Sequence, residues 1–235
     1  MDKNFFIKEG YKINDSAKTF ETEFIGEYWT EERVIISSVY QYDVYKFAAS
    51  QIKQNNYQVG IDLGCGPGIK GKWFLESILN ELILIDQPNC KAIAQKTLPN
   101  SKFYGVDLEN LTIRLDKKVD IIVCADVIEH LANPIPTLEF CRNSINKNGV
   151  IILSTPERDV LRGKNCKESP HPAHVREWNK SEFRLLLESV GLKIIEHKLM
   201  PPKRLSGLSL IKMKIFGNTN IKRDWHSCQM AICTV

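Results

Sequence analysis

Apolar segments of strand length alternate with segments of helical periodicity from Val59 onward, and this alternation restricts the possible folds more than any other feature. Runs such as VGIDL and VDIIVCA are typical of strands that are buried on both faces of a sheet. Strands that are separated by helices pair in parallel through right-handed crossovers. The sequence therefore predicts an α/β fold, in which helices cover both faces of a mostly parallel sheet of seven strands.

The two ends of the chain differ from this central pattern. Residues 1–55 are rich in aromatic and acidic side chains, and we expect them to form an N-terminal helical cap or lid. Apolar residues recur at spacings of three and four between residues 31 and 54, which predicts one or two helices there: Val39, Tyr42, Tyr45 and Ala49. Residues 56–235 are expected to form the main domain, with a lid-like insertion at about residues 201–227. The last segment, HSCQMAICTV, is expected to be a partner strand at the end of the sheet.

Composition favours one cytoplasmic domain with neither a nucleic-acid nor a membrane partner. The 235 residues carry a net charge of only +4, whereas nucleic-acid-binding domains cluster their positive charge more strongly, so nucleic acid is a disfavoured partner. No segment has the length of a transmembrane helix, and the first residues lack the apolar core of a secretory signal, so no membrane partner is expected. The seven cysteines show no C-x-x-C pair, which favours reduced thiols over disulfides or a zinc site. The composition does not predict an oligomeric state.

A glycine-rich loop, Asp62-Leu-Gly-Cys-Gly-Pro-Gly68, follows the first predicted strand and precedes a helix. Glycines at such a turn let the backbone bend tightly and approach a ligand without interference from a Cβ atom. Dinucleotide-binding proteins use the spacing G-x-G-x-x-G to hold a pyrophosphate. The spacing here is G-x-G-x-G, which suits a nucleoside with an amino-acid tail and no phosphate.

This loop resembles the first motif of the class I, Rossmann-like methyltransferases that use S-adenosylmethionine, and the segments VDIIVCADVIEHL and KNGVIILSTPE resemble their later motifs. The resemblance extends from residue 59 to about residue 195, and includes the group of ubiquinone-pathway O-methyltransferases and related enzymes of glycan and natural-product biosynthesis. It implies that Asp86 binds the ribose hydroxyls, that Asp107 contacts the adenine amino group and that Leu108 lies against the adenine ring. The full set of residues that it implies for the cofactor is Asp62, Gly64, Cys65, Gly66, Gly68, Asp86, Gln87, Asp107, Leu108 and Ala125.

Polar residues that follow the fourth predicted strand are candidates for the reaction itself. Asp126, Glu129 and His130 have the spacing that places three side chains on one face of a helical turn. The segment HPAHVREW, which contains His174, follows the fifth strand and can cover the same edge of the sheet.

Three interpretations of these residues remain open. In the first, His130 or His174 is a general base for a substrate hydroxyl, with Glu129 beside it. In the second, four side chains bind a divalent metal such as Mg²⁺: Asp126, Glu129, His130 and His174. The pattern D-x-x-E-H with a later H-x-x-E-W is similar to the magnesium site of small-RNA terminal 2′-O-methyltransferases. In the third, Glu129 pairs locally and His130 packs beneath the loop.

Arginines near the same segment have two possible roles. Arg158, Arg162 and Arg176 have the chemistry to bind an anionic group of the substrate. Alternatively, Arg176 pairs with Glu177 or Glu182.

The resemblance therefore implies an S-adenosylmethionine-dependent O-methyltransferase whose acceptor is a hydroxyl of a sugar or secondary metabolite. The alternatives are a magnesium-dependent RNA 3′-terminal 2′-O-methyltransferase and a cofactor-binding protein without transfer activity.

Overall fold

The computed structural model describes residues 4–17, 29–204, 207–208 and 225–235, which form a seven-stranded sheet with helices on both faces. The predicted α/β architecture is therefore confirmed. The strands are β1 (Val59–Leu63), β2 (Glu81–Asp86), β3 (Lys102–Gly105), β4 (Val119–Ala125), β5 (Ile145–Pro156), β6 (Lys193–Met200) and β7 (Cys228–Thr234). The helices are α1 (Glu31–Val39), α2 (Tyr42–Asn55), α3 (Ile69–Phe74), α4 (Lys91–Thr97), α5 (Ile135–Ser144), α6 (Arg158–Leu161) and α7 (Lys180–Ser189).

The strand order is β3-β2-β1-β4-β5-β7-β6, and strands β1 to β5 pair in parallel. Strand β7 runs antiparallel between β5 and β6. The prediction that the last segment lies at the end of the sheet is therefore wrong, because β6 occupies that edge. The physical reason lies in side-chain polarity: β7 is apolar and buried along nearly its whole length, whereas β6 carries charged side chains that remain partly exposed.

The hydrophobic core lies on both faces of the sheet. Helices α2 and α4 cover one face, where Ile52 and Ala94 pack with Leu84 of β2. Helices α5 and α7 cover the other face, where Leu138 and Phe183 are fully buried. Because both faces are covered, the polar ends of the central strands are the part of the sheet that remains for ligands.

The N-terminal helical region consists of two helices that are separated at Gln41, where the backbone has a φ of 52°. Helix α2 packs on the sheet through four buried residues: Val44, Tyr45, Ala48 and Ile52. Val39, which the spacing analysis placed on the same apolar stripe, is 37% exposed because it precedes the break. The periodicity thus predicted the helices but not the side chains that they bury.

The ends of α7 match the capping residues of its sequence, whereas α3 is shorter than a typical helix. Asn179 and Glu182 form a capping box at the start of α7, and Gly191 follows the helix with a φ of 81°. The helix expected after the glycine loop is short: α3 ends at Phe74, and a separate 3₁₀ turn covers Glu76–Ile78.

The two segments that were predicted as lids contact each other where the structure describes them. The backbone N–H of Gln41 donates to the Pro202 carbonyl at 3.0 Å, and the backbone N–H of Arg204 donates to the Val39 carbonyl at 2.7 Å. Residues 18–28, 205–206 and 209–224 lie outside the described residues. Closure of both segments over the sheet edge therefore stays a prediction.

The first residues of the chain hold the segment that contains His174. The Lys12 amide donates to the Lys167 carbonyl at 2.7 Å, and the Asn14 amide donates to the Val175 carbonyl at 3.0 Å. These two hydrogen bonds satisfy backbone carbonyls of the His174 segment that would otherwise bond to water.

None of the described helices combines the length and hydropathy that a membrane crossing requires. All seven cysteines are free thiols, and six of them are buried.

Candidate active site

The carboxyl ends of β1 and β4 form the crevice where the chain reverses its direction along the sheet. Ligands of open α/β sheets bind at such a point, because the loops on either side diverge. The glycine loop follows β1, and the candidate reaction residues follow β4.

Gly64 begins the glycine loop with a φ of 76°, and its amide donates to the Ile85 carbonyl at 2.8 Å. An added Cβ atom at this position would collide with the side chain of Val127, which follows β4. The glycine therefore allows the loops of two adjacent strands to pack closely as well as permitting the turn.

Gly64→Ala is expected to lower the free energy of unfolding by about 2–4 kcal/mol, because a left-handed conformation and an overpacked contact both cost energy. Gly163→Ala is the matched control, since Gly163 has a φ of 90° but no atom within 4 Å of an added Cβ. The control should lose only the conformational part, about 1–2 kcal/mol. Urea denaturation measures both, and equal losses would show that the contact with Val127 relaxes.

The two acids expected to bind the nucleoside lie at the ends of neighbouring strands. Asp86 accepts hydrogen bonds from the Gly66 amide at 2.6 Å and the Gln87 amide at 2.7 Å, while burial raises its pKa. Asp107 is exposed and accepts from the Glu109 amide at 2.9 Å. A carboxylate has about four lone-pair positions, so both acids retain acceptor capacity for a ligand. The other expected cofactor residues lie in the glycine loop or at the ends of β3 and β4: Gly64, Cys65, Gly68, Leu108 and Ala125.

Asp62 lies beneath the glycine loop and is fully buried. One carboxylate oxygen accepts a hydrogen bond from the Tyr45 hydroxyl at 2.6 Å, whereas the other, Oδ2, has no hydrogen-bond partner. Burial raises the pKa of Asp62 to about 6. The hydrogen bond between Tyr45 and Asp62 thus connects helix α2 to the start of the glycine loop.

Glu129, His130 and His174 converge at the end of β4, with one potential ligand atom of each residue within 4.8 Å of the others. The imidazole rings of His130 and His174 are perpendicular, and their centroids are 4.8 Å apart. The sequence predicted this convergence from two segments that are more than 40 residues apart.

Hydrogen bonds determine the tautomer of each imidazole. Nδ1 of His130 lies 2.8 Å from the Ala173 carbonyl, and Nδ1 of His174 lies 2.7 Å from Glu177 Oε1. Both oxygens act as acceptors, so each Nδ1 carries a proton, and in a neutral imidazole the lone pair then lies on Nε2. Burial, reinforced by His174, lowers the pKa of His130 to about 3.

Glu129 completes the cluster with a carboxylate that is only half satisfied. Its Oε2 accepts a hydrogen bond from the Thr155 hydroxyl at 3.0 Å, but Oε1 is buried and has no partner. Burial, followed by the repulsion of Asp126, raises its pKa well above the ordinary value. A carboxylate oxygen and two imidazoles are donor groups that a divalent metal can accept.

The structure does not bring Asp126 into this cluster. It has a φ of 54° and precedes the 3₁₀ turn Ile128–His130, so it does not share the face that the helical spacing predicted. Its carboxylate accepts from Gln41 Nε2 at 2.6 Å and from the Ser154 hydroxyl at 2.9 Å. Among the four predicted metal ligands, three converge and Asp126 binds the N-terminal helical region instead.

The three arginines make internal contacts rather than facing a ligand. Arg158 pairs with Glu182 and Arg162 pairs with Glu177. Arg176 pairs with neither glutamate: it donates to the carbonyls of Leu131 and Ala132 at 3.1 and 2.9 Å. The expectation that Arg176 binds Glu177 or Glu182 is therefore wrong, because those glutamates pair with Arg162 and Arg158 instead.

Several site residues have no signal in the sequence analysis. His171 stacks on His174 with ring centroids 3.9 Å apart, and only its presence in the same HPAHVREW segment could have indicated it. Gln41, Tyr45 and Trp29 come from the N-terminal region, where Trp29 packs against Gly66. No local pattern connects these residues to strands that follow much later in the chain.

Comparisons with known proteins converge on one kind of domain. A family model described as a methyltransferase domain matches residues 39–197. The chain is 28% identical over 136 residues to a probable S-adenosylmethionine-dependent methyltransferase of Mycolicibacterium smegmatis, an alignment that covers 57% of this chain and 51% of the relative. It is 26% identical over 109 residues to a ubiquinone biosynthesis O-methyltransferase of Glaesserella parasuis, with 42% of this chain and 45% of the relative covered. The chain thus spans about half the length of these two relatives.

Two solved structures share the fold. The plantazolicin methyltransferase BamL, in complex with a triazolic desmethylPZN analog and SAH, has a TM-score of 0.64 and 18% identity, with 93% of this chain and 96% of that chain covered. The small RNA methyltransferase HEN1 has a TM-score of 0.59 and 21% identity, with 81% of this chain and 24% of that chain covered. At these identities the likeness shows the fold alone.

Proposed function

This chain belongs to the family of methyltransferase domains, and we propose that it transfers the methyl group of S-adenosylmethionine to a hydroxyl group of a small molecule. A sugar or a secondary metabolite is the proposed class of acceptor. The observation that carries the hydroxyl assignment is the cluster of Glu129, His130 and His174 at the end of β4.

The cofactor assignment is supported by the spatial order of the expected binding residues along the edge of the sheet. Asp107 follows β3, Asp86 ends β2 and the glycine loop follows β1, so the three lie in the spatial order β3, β2, β1. Adenine, ribose and the sulfonium of S-adenosylmethionine succeed one another in the same order. The methyl group would then face the next strand, β4, where the cluster lies.

The reaction requires a hydroxyl oxygen to approach the methyl carbon in line with the leaving sulfur. Positioning supplies part of the rate, but a neutral hydroxyl is a weak nucleophile. We assign Glu129, His130 and His174 to a divalent cation, because Glu129 has an orphaned carboxylate oxygen and one potential ligand atom of each residue lies within 4.8 Å of the others. When bound, such a cation polarises a hydroxyl oxygen and favours loss of its proton.

Residues around the cluster hold its donors in place. The Ala173 carbonyl and the Glu177 carboxylate accept the Nδ1 protons of the two imidazoles, which is the usual outer arrangement of metal-binding histidines. The alternative, in which His130 or His174 is itself the general base, uses the same tautomers and differs in needing no cation. Two imidazole nitrogens favour a first-row transition-metal ion over Mg²⁺, which prefers oxygen ligands.

An RNA 3′ end is the second candidate acceptor. The convergence of Glu129, His130 and His174 favours it, since these are three residues of the pattern that resembles the small-RNA enzymes. The arginines argue for a small molecule instead: Arg158 and Arg162 pair with glutamates, so they are not available for phosphates.

A panel of matched acceptors tests the proposal. Labelled S-adenosylmethionine is incubated with the protein, Mn²⁺ or Mg²⁺, and sugars or phenols together with their O-methyl ethers, their amino analogues and RNA with or without a terminal diol. Mass spectrometry should find the label on hydroxyl acceptors and not on the ethers. Transfer to amines alone or to terminal RNA alone would contradict the small-molecule hydroxyl proposal. Cofactor binding without transfer to any acceptor would indicate a non-catalytic binding protein.

A further inference from the structure

Lys70 places an ammonium group beside the glycine loop, and we infer that it binds the carboxylate at the amino-acid end of S-adenosylmethionine. Lys70 is the second residue of α3, two residues after Gly68. The inference rests on the proposed function, because it presumes that this cofactor occupies the crevice between β1 and β4.

The ammonium is partly buried and has few partners. Its Nζ donates to the Ser37 carbonyl of α1 at 3.1 Å and lies 5.4 Å from the centroid of the Tyr45 ring. Within the part of the chain that the structure describes, no carboxylate pairs with it at 4.0 Å or less. An ammonium has three N–H donors, and burial without partners is costly, so a ligand oxygen would stabilise it.

Two acids lie near Lys70 without satisfying it. Burial lowers the pKa of Lys70, while the charges of Asp62 and Asp126 act in the opposite direction and favour the ammonium. The carboxylate of Asp62 accepts from Tyr45, and that of Asp126 accepts from Gln41. The neighbouring acids therefore favour a charged lysine, but the hydrogen bonds that they accept come from other donors, and Oδ2 of Asp62 accepts none.

The position of Lys70 matches the part of the cofactor that the acids leave unassigned. Asp107 and Asp86 follow β3 and β2, so adenine and ribose occupy that side of the crevice. The methyl group faces Glu129, which lies in the turn after the carboxyl end of β4. The amino-acid end then lies between the ends of β1 and β4, where Lys70 interacts electrostatically with Asp62 and Asp126.

A charge-assisted hydrogen bond at this position would select for the intact cofactor. Nucleosides that carry the same thioether but lack the amino acid would gain nothing from Lys70. Because Nζ also bonds the Ser37 carbonyl, the same side chain would connect the bound cofactor to helix α1 of the N-terminal region.

Calorimetry with two nucleosides separates this role from a structural one. S-adenosylhomocysteine carries the amino-acid end, and 5′-methylthioadenosine lacks it. Lys70→Met should weaken S-adenosylhomocysteine binding roughly 10- to 100-fold, the usual size for a hydrogen bond to a charged group, and leave 5′-methylthioadenosine binding nearly unchanged. Lys70→Gln retains a donor for the Ser37 carbonyl and removes the charge, so it should show the same selective loss even if Lys70→Met folds poorly.

Lys72→Met is the matched control, since Lys72 is an exposed lysine of the same helix. It should change neither affinity. Equal weakening of both nucleosides by the Lys70 variants, or no weakening, would overturn the inference and leave Lys70 as a tether for α1. A wild-type protein that binds neither nucleoside would instead overturn the proposed function, and this inference with it.

Discussion

Replacement of His130 or His174 with alanine is expected to lower the rate of methyl transfer roughly 10²-fold or more, the contribution that activation of a weak nucleophile usually makes. Each imidazole places one potential ligand atom within 4.8 Å of a ligand atom of Glu129, so the two histidines contribute separate donors and neither can substitute for the other. The affinity for S-adenosylhomocysteine should change little, because the cluster follows β4 and the nucleoside residues follow β1, β2 and β3.

Single-turnover transfer and calorimetry measure these two effects. His197→Ala is the control, since His197 lies on β6 and bonds Gln229 outside the cluster. A chelator should reproduce the loss in the wild type, and Mn²⁺ or Mg²⁺ should restore the wild type but not the variants. Variants that lose activity while the chelator has no effect would support the general-base interpretation. Full activity in both variants and under chelation would exclude both.

Arg158→Met should lower the free energy of unfolding by about 3–5 kcal/mol, the usual cost of removing one partner from a buried ion pair. The Arg158 side chain is fully buried and donates to both carboxylate oxygens of Glu182, at 2.6 and 2.9 Å. Without the guanidinium, Glu182 would remain as a nearly buried charge at the start of α7, where its own carboxylate also caps the Asn179 amide.

Arg184→Met provides the matched control on the same helix. Arg184 pairs with Glu188 at 3.2 Å, but both side chains are nearly half exposed. Exposed pairs contribute about 0–1 kcal/mol, so the control should be almost neutral. Urea denaturation with an unchanged slope compares the two variants. Losses of similar, small size would contradict the assignment of Arg158 to the core.

The prediction of the cofactor residues rests on local patterns. Gly64 and Gly66 lie within a few residues of the strand and helix that they join, so their spacing reports the turn directly. Asp86 and Asp107 end or follow strands, and parallel strands present such ends at one edge of the sheet. The cofactor edge therefore follows from sequence order and the rules of parallel sheets.

The hydrogen-bond partners of individual side chains could not be predicted in the same way. Gln41 bonds Asp126 across 85 positions, and Lys70 bonds Ser37 across 33. Arg176 is adjacent to Glu177, yet it donates to the carbonyl of Leu131, which lies 45 positions earlier in the chain.

The sequence alone determined the alternation of strands and helices, the glycine turn and the strand ends that carry acids, because each depends on residues within a few positions of one another. Tertiary structure decided the interior position of β7, the exclusion of Asp126 from the cluster and the tautomers of His130 and His174. These features depend on which of several chemically similar partners lies within hydrogen-bond distance. Only the packed chain determines that distance, since burial requires each polar group to find a partner among the atoms that surround it.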